Sequence, residues 1–162
     1  MRQKQKGLTL IETMMLLAAI GIVATIAIPP AYQAYENSVA REQVTDAIGL
    51  LDNVKAPATA FYTEHKRWPE KSDFDNLVAV RTGKYVESLT PQVLPDGFQV
   101  TATFKNSGVS PGLVTNNVGR TLVLATRNGS KWICNDDTDP ATGVPGLVAG
   151  TVLKEHRPPI CK

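Results

Sequence analysis

Between Leu8 and Ile28 the chain runs for 21 residues with a single ionisable side chain, Glu12. At about 1.5 Å of rise per residue, a helix of that length covers about 32 Å, enough to cross the ~30 Å hydrocarbon core of a bilayer. Arg2, Lys4 and Lys6 precede the run, with no acid among them. A basic flank ahead of an apolar run also opens a secretion signal. The small-residue cleavage site that should follow is missing, however, and Ala27-Ile28-Pro29-Pro30 is a poor substitute. A plain anchor explains the hydrophobicity and the flank, and it places the N-terminus in the cytoplasm. It does not explain Glu12. A carboxylate in lipid costs a few kcal/mol and usually marks a specific partner, yet no cation in the segment offers one. One turn in, Glu12 also lies close enough to the headgroups to snorkel, so position alone leaves both readings open.

The residues around Glu12 carry a resemblance. Lys6-Gly7-Leu8-Thr9-Leu10-Ile11-Glu12 is similar to the processing signature of type IV pilins and their relatives. In that family a short basic leader ends in Gly, and T-L-I-E and a long apolar helix follow the first mature residue. The likeness continues through Ala27-Ile28-Pro29, Tyr32 and Tyr35, so it covers the leader and the whole N-terminal helix. Two positions depart from the pattern. Leu8 stands where phenylalanine is usual, which bears on processing efficiency, and Thr13 stands where leucine is common.

The resemblance implies a leader at residues 1–7, cut after Gly7 by a membrane prepilin peptidase, with methylation of the new amine on Leu8. Residues 8–30 are then the transmembrane and polymerisation helix, and 31–162 the globular domain. Methylation keeps the amine cationic, so cutting creates the partner that Glu12 lacks. Among apolar helices an unpaired charge is strongly disfavoured and a matched pair is tolerated. The expectation is that Glu12 of one subunit pairs with the Leu8 amine of another and sets their axial register. Gly21, Pro29 and Pro30 fall inside or at the end of this helix. Proline removes a backbone donor and clashes with the preceding turn, which predicts a kink near Pro29. The family implies in addition that the helix between Gly21 and Pro29 loosens in the filament.

Three of the 17 Lys and Arg lie in the leader, leaving 14 against 15 acids, so no global basic field argues for nucleic acid. From Ala31 the pattern turns amphipathic. Val39, Ala40, Val44, Ala47, Ile48, Leu51 and Val54 recur at spacings of three and four, with Arg41, Glu42, Asp46 and Asp52 on the other face. A lower helix over 31–64 is expected, bent near Pro57 and packed on a sheet. His65-Lys66-Arg67-Trp68-Pro69 ends it, with Lys66 and Arg67 suited to the negative end of a helix or to an acidic partner. Residues 65–97 read as a connecting loop with a short helix near Ser72–Val80. Phe98–Lys105 alternates as a strand with one buried face. Thr121–Thr126 and Lys131–Cys134 read as strands joined through Asn128-Gly129. A fourth strand is expected, with Leu147–Leu153 as one option. The fold class is therefore α+β: a long N-terminal helix packed on a small antiparallel sheet of about four strands at 98–134.

A domain secreted beyond a membrane helix lies in an oxidising space, so Cys134 and Cys161 read as a disulfide. The turn-rich loop 134–161 is similar to the Cys-bounded loop of type IV pilins, an exposed surface that contacts partners or neighbouring subunits.

Other sites weigh less. Asp136, Asp137 and Asp139 cluster as hard-cation ligands do, but they lack the glycine and glutamate of an EF-hand. His65 and His156 have no second ligand at helical spacing. Asn128-Gly129-Ser130 matches a glycosylation triplet and is better explained as a turn. No nucleophile elbow or phosphate loop is present, so no catalytic residue, metal or cofactor is expected.

The favoured function is the major subunit of a type IV pilus serving adhesion, motility or DNA uptake. Its expected partners are itself, the peptidase, the inner membrane and the inner-membrane assembly machinery. A host surface or DNA is a further possible partner, the latter through a stripe of Lys66, Arg67, Arg81 and Lys84. The expected locations are the inner membrane before assembly and a surface pilus after it. A pseudopilin of a type II secretion system, or a minor pilin, is the alternative. A membrane-tethered enzyme or binding module would need a cleft with paired titratable groups, which the sequence does not offer.

Overall fold

A computed structural model describes residues 9–134 and 144–161, with the backbone alone at 24–31. The chain divides into two compact units, Met1–Tyr35 and Glu36–Lys162. A first helix, α1 (Leu10–His65), contributes to both and ends within one residue of the expected Glu64. Its helical backbone is unbroken through Pro57. Among the described residues no helix is long and apolar enough to cross a membrane. The apolar run of the sequence, however, includes Leu8, outside the described residues, and positions 24–28, where only the backbone is described.

In the first unit the described large apolar side chains are solvent-exposed. Leu10, Ile11, Met14, Met15, Leu17 and Ile20 are all exposed. In the second unit the same helix buries one stripe. Ala40, Val44, Ala47, Leu51, Val54 and Ala58 follow each other at steps of four and three, and none is more than 1 % exposed. Such spacing places them on one face. Arg41, Glu42, Asp46 and Asp52 face solvent.

The stripe packs on a four-stranded antiparallel sheet: β1 (Val86–Leu94), β2 (Gly97–Phe104), β5 (Thr121–Thr126) and β6 (Trp132–Cys134), in the order β1-β2-β5-β6. Between β2 and β5 a small hairpin of β3 (Val114–Thr115) and β4 (Val118–Gly119) turns on Asn116 and Asn117. Both asparagines have positive φ, as a two-residue hairpin turn requires. Gly119 lies so close to β2 that a Cβ there would collide with the carbonyl of Phe104. Phe98, Val100, Ala102 and Phe104 of β2 meet the helix stripe together with Leu122 and Leu124 of β5.

Three sequence expectations change. The fourth strand is not Leu147–Leu153, which holds no strand. It is β1, inside the stretch expected to be a loop up to Gly97. Pro91 and Pro95 suggested irregular chain there. β1, however, is an edge strand, where a missing N–H is tolerated, and Pro91 pairs opposite Val100. Pro95 and Asp96 form the two-residue connection, with Leu94 opposite Gly97. β2 was expected to bury one face and buries both at its start. Gln99 is 1 % exposed, and Leu94, Val123 and Ala125 form a second apolar cluster with Val144. The short helix, expected near Ser72–Val80, is α2 at Lys71–Leu77, with Glu70 as its cap. Glu70 N–H donates to Asp73 Oδ2 at 3.2 Å, and Phe74, fully buried, carries α2 onto the core.

The segment from Val144 to Cys161 belts the sheet. Val144 lies over its outer face, while Val152 and Cys161 join the main core on the helix side. Val148 N–H donates to Gln99 Oε1 (3.1 Å), Val152 N–H to the Thr121 carbonyl (3.1 Å), and Thr151 and Thr121 bond through both backbone and hydroxyl groups.

Two stability changes follow from this packing. Phe98→Ala removes a fully buried ring at the centre of the sheet and should lower unfolding free energy by about 3–5 kcal/mol. Replacing both Cys134 and Cys161 by Ser should cost roughly 3–4 kcal/mol through the freed unfolded chain. Guanidinium unfolding followed by tryptophan fluorescence measures both.

Candidate assembly site

Glu12 lies in the first turn of α1 and is exposed. Its N–H donates to the Thr9 carbonyl at 3.0 Å, and Thr13 Oγ1 donates to the Leu10 carbonyl at 2.8 Å. An acid in a first helical turn is favoured by the helix dipole. None of the ion pairs among the described residues involves Glu12. Leu16, Ala19, Ile20 and Val23 line a shallow apolar depression. Glu12 and Leu16 are four residues apart, and helical spacing places the carboxylate on the same face as this depression, one turn towards the N-terminus. The exposed surface is thus apolar with one anionic end.

Gly7 and Leu8, the expected processing positions, lie outside the described residues. Gly21 is within α1, and a Cβ there would meet nothing within 4 Å, so packing inside this chain does not require glycine. Pro29 and Pro30 have helical backbone, and their side chains are outside the described set.

At the other end of the chain Cys134 and Cys161 form the expected disulfide, with Cα atoms 5.1 Å apart. Cys161 is 2 % exposed, so the bond ties the last strand and the C-terminal turn into the core. Asp136, Asp137 and Asp139 lie outside the described residues. His65 stacks on Phe61 with centroids 4.1 Å apart, while His156 is buried against Asn37, its Nε2 3.0 Å from Asn37 Oδ1. Asn128 Oδ1 accepts from Ser130 N–H (3.1 Å) and Ser130 Oγ (2.6 Å), holding a five-residue connection around Gly129 at φ +81°.

Three of the four cations that suggested a stripe are engaged within the domain. Arg67 donates to Asp73 at 2.7 Å and lies over the Phe61 ring. That hydrogen bond holds the Asp73 carboxyl below its usual range and raises Arg67. Arg81 pairs with Asp75. Lys84 lies 4.8 Å from the Tyr85 ring centroid and is pushed up by its hydrogen bond to Tyr85, with Asp46 and Glu42 adding to the effect. Only Lys66, at φ 54°, has neither an ion pair nor a ring contact among the described residues; it serves as the residue that turns the chain out of α1. Between Arg67 and Pro69, Trp68 turns inward. It stacks on Tyr62 at 4.3 Å and Phe98 at 5.2 Å, and meets Trp132 edge-on at 6.4 Å. Sequence reading of the basic residues missed this hub; an aromatic directly after two cations was the available signal.

The family model described as pilin, a bacterial filament, matches residues 40–162. The chain is 36 % identical to the fimbrial protein EcpC of Eikenella corrodens over 86 % of this chain and 88 % of that one. It is 34 % identical to a type IV major pilin protein PilE1 of Neisseria gonorrhoeae over 100 % of this chain and 89 % of that one. With the type IV major fimbrial protein FimA of Dichelobacter nodosus, identity is 31 % over 87 % and 92 %. The family is structural rather than enzymatic, in keeping with a chain whose sequence offers no catalytic constellation. The long helix, the four-stranded sheet, the C-terminal disulfide and these likenesses together place the chain in the type IV pilin family of bacterial filament proteins.

Proposed function

We propose that this chain is the major structural subunit of a type IV pilus, polymerising through its apolar N-terminal helix. The observation that carries the reading is the bare apolar surface of α1 with Glu12 at its end. Side chains such as Leu10, Ile11, Met15 and Leu17 are each about two-thirds exposed or more, far beyond what a monomer in water leaves uncovered. Lipid covers that surface before assembly, with the N-terminus on the cytoplasmic side of the inner membrane, and neighbouring subunits cover it in the extracellular filament. Relatives that bear the names of major pilins and fimbrial proteins over nearly their whole length support a major subunit over a pseudopilin.

In this reading a prepilin peptidase cuts after Gly7, the Leu8 amine is methylated, and the assembly machinery of the inner membrane docks each subunit. Glu12 of the incoming chain then pairs with the Leu8 amine of a neighbour. A carboxylate without that amine would be stranded among apolar helices, so the pair selects one axial register. Gly21, Pro29 and Pro30 lower the cost of loosening the helix between them as it leaves lipid. The finished fibre serves adhesion, motility or DNA uptake. Because Arg67, Arg81 and Lys84 face partners within the domain, the proposed basic stripe lends the last of these little support.

Two measurements test this. Glu12→Ala should leave membrane insertion and subunit level intact and abolish filaments on electron microscopy; normal filaments from that variant refute the pairing. Mass spectrometry of the N-terminal peptide from native filaments should find it beginning at a methylated Leu8. Filaments whose subunits retain residues 1–7 defeat the assembly mechanism.

A further inference from the structure

His156 is a buried titratable group to which the proposed assembly mechanism gives no role. It is 5 % exposed, and it sits where three elements cross: α1, the turn at 110–113 and the C-terminal belt. Its Nε2 lies 3.0 Å from Asn37 Oδ1. With that oxygen accepting, the ring proton is on Nε2 and Nδ1 is a bare acceptor. Nδ1 is indeed buried without a hydrogen-bond partner. The ring fits only because residue 112 is glycine, since a Cβ there would collide with it.

The neighbours of the ring are cationic. From α1, Arg41 Nε donates to the Glu155 carbonyl at 2.7 Å. From the link between β4 and β5, Arg120 donates to the Thr151 carbonyl at 2.8 Å. Both arginines pin the belt on either side of His156, and both disfavour a charge on it. The turn at 110–113 brings no ionisable side chain. On the belt itself Lys154 and Arg157 are cations, and the one anion is Glu155. Its Oε1 is 3.7 Å from Nε2, but its side chain is 60 % exposed and therefore screened.

We propose that His156 is a pH-sensitive latch: neutral, it fastens the C-terminal belt to α1, and protonated, it releases the stretch Val152–Arg157 while the Cys134–Cys161 bond keeps the end of the chain tethered. Burial is the main cause that lowers the His156 pKa from 6.5; Arg120 and Arg41 add to it, and Glu155 and the Gly112 backbone oppose it. A histidine whose folded value is lowered binds its proton more readily when released. The belt is thus fully docked above about pH 6.5 and loses stability as pH falls through the lowered value.

Hydrogen exchange on the full chain in detergent, corrected for intrinsic rates, tests the latch. Between about pH 7.5 and about pH 5, the opening equilibrium of the 152–157 peptide should rise about tenfold for each unit by which the pKa is lowered. His156→Gln, which keeps a donor for Asn37 but cannot titrate, should flatten that response. Glu155→Gln, which removes the one opposing anion, should steepen it. A wild-type response that persists in His156→Gln overturns the proposal. Where that variant fails to fold, imidazole titration of the unmodified chain by NMR decides: a His156 value at or above about 6.5 overturns the latch, and a lower one upholds it.

Discussion

Apolar surface that one chain cannot cover by itself governs this protein. α1 solves the problem in one place and leaves it open in another. From Ala40 to Ala58 a narrow stripe of small and branched residues meets a sheet and is sealed from water. From Leu10 to Val23 the described side chains, apolar apart from Glu12 and Thr13, are exposed around the helix. A one-sided stripe calls for one packing partner. An all-round apolar surface calls for a solvent of hydrocarbon or for several helices at once. The two patterns within one secondary-structure element account for why the globular part is an ordinary α+β domain and the other part belongs to an assembly.

Much of this was legible because periodicity is a direct imprint of burial. The steps of three and four from Val39 to Val54, the alternation from Phe98 to Phe104 and the run at Thr121–Thr126 each match an element. β1 was hidden because its prolines were weighed as breakers, when an edge strand has one backbone side that no neighbour needs. Pro95-Asp96-Gly97 between apolar runs was the available turn signal. The buried second face at Gln99 could not be read locally. Its cover comes from Val144 and Val148, about 45 residues further on, and no pattern around Gln99 announces them.

The site divides in the same way. Glu12 stands out in sequence as a lone charge in an apolar run, and its place at the end of the Leu16–Val23 depression follows from helical spacing. The basic residues after His65 were misleading for the opposite reason. Charges in sequence carry no record of their partners, and Asp73 and Asp75, six residues beyond Arg67 and six before Arg81, neutralise them. Trp68 among them serves the core, not the surface.

The C-terminal belt lies between these extremes. It has no helix longer than one turn and no strand, so few of its residues are held by a backbone ladder. Besides the burial of Val144, Val152 and Cys161, separate contacts hold it, among them Gln99 on one face of the sheet, Thr121 at its edge, Asn37 and Arg41 on the helix, and a covalent bond at the end. A ladder fails cooperatively, whereas independent contacts can be lost one at a time. The disulfide restricts the freedom the belt gains when it opens. It therefore tolerates weak and titratable contacts upstream, because losing one of them frees a short loop and leaves the end of the chain in place.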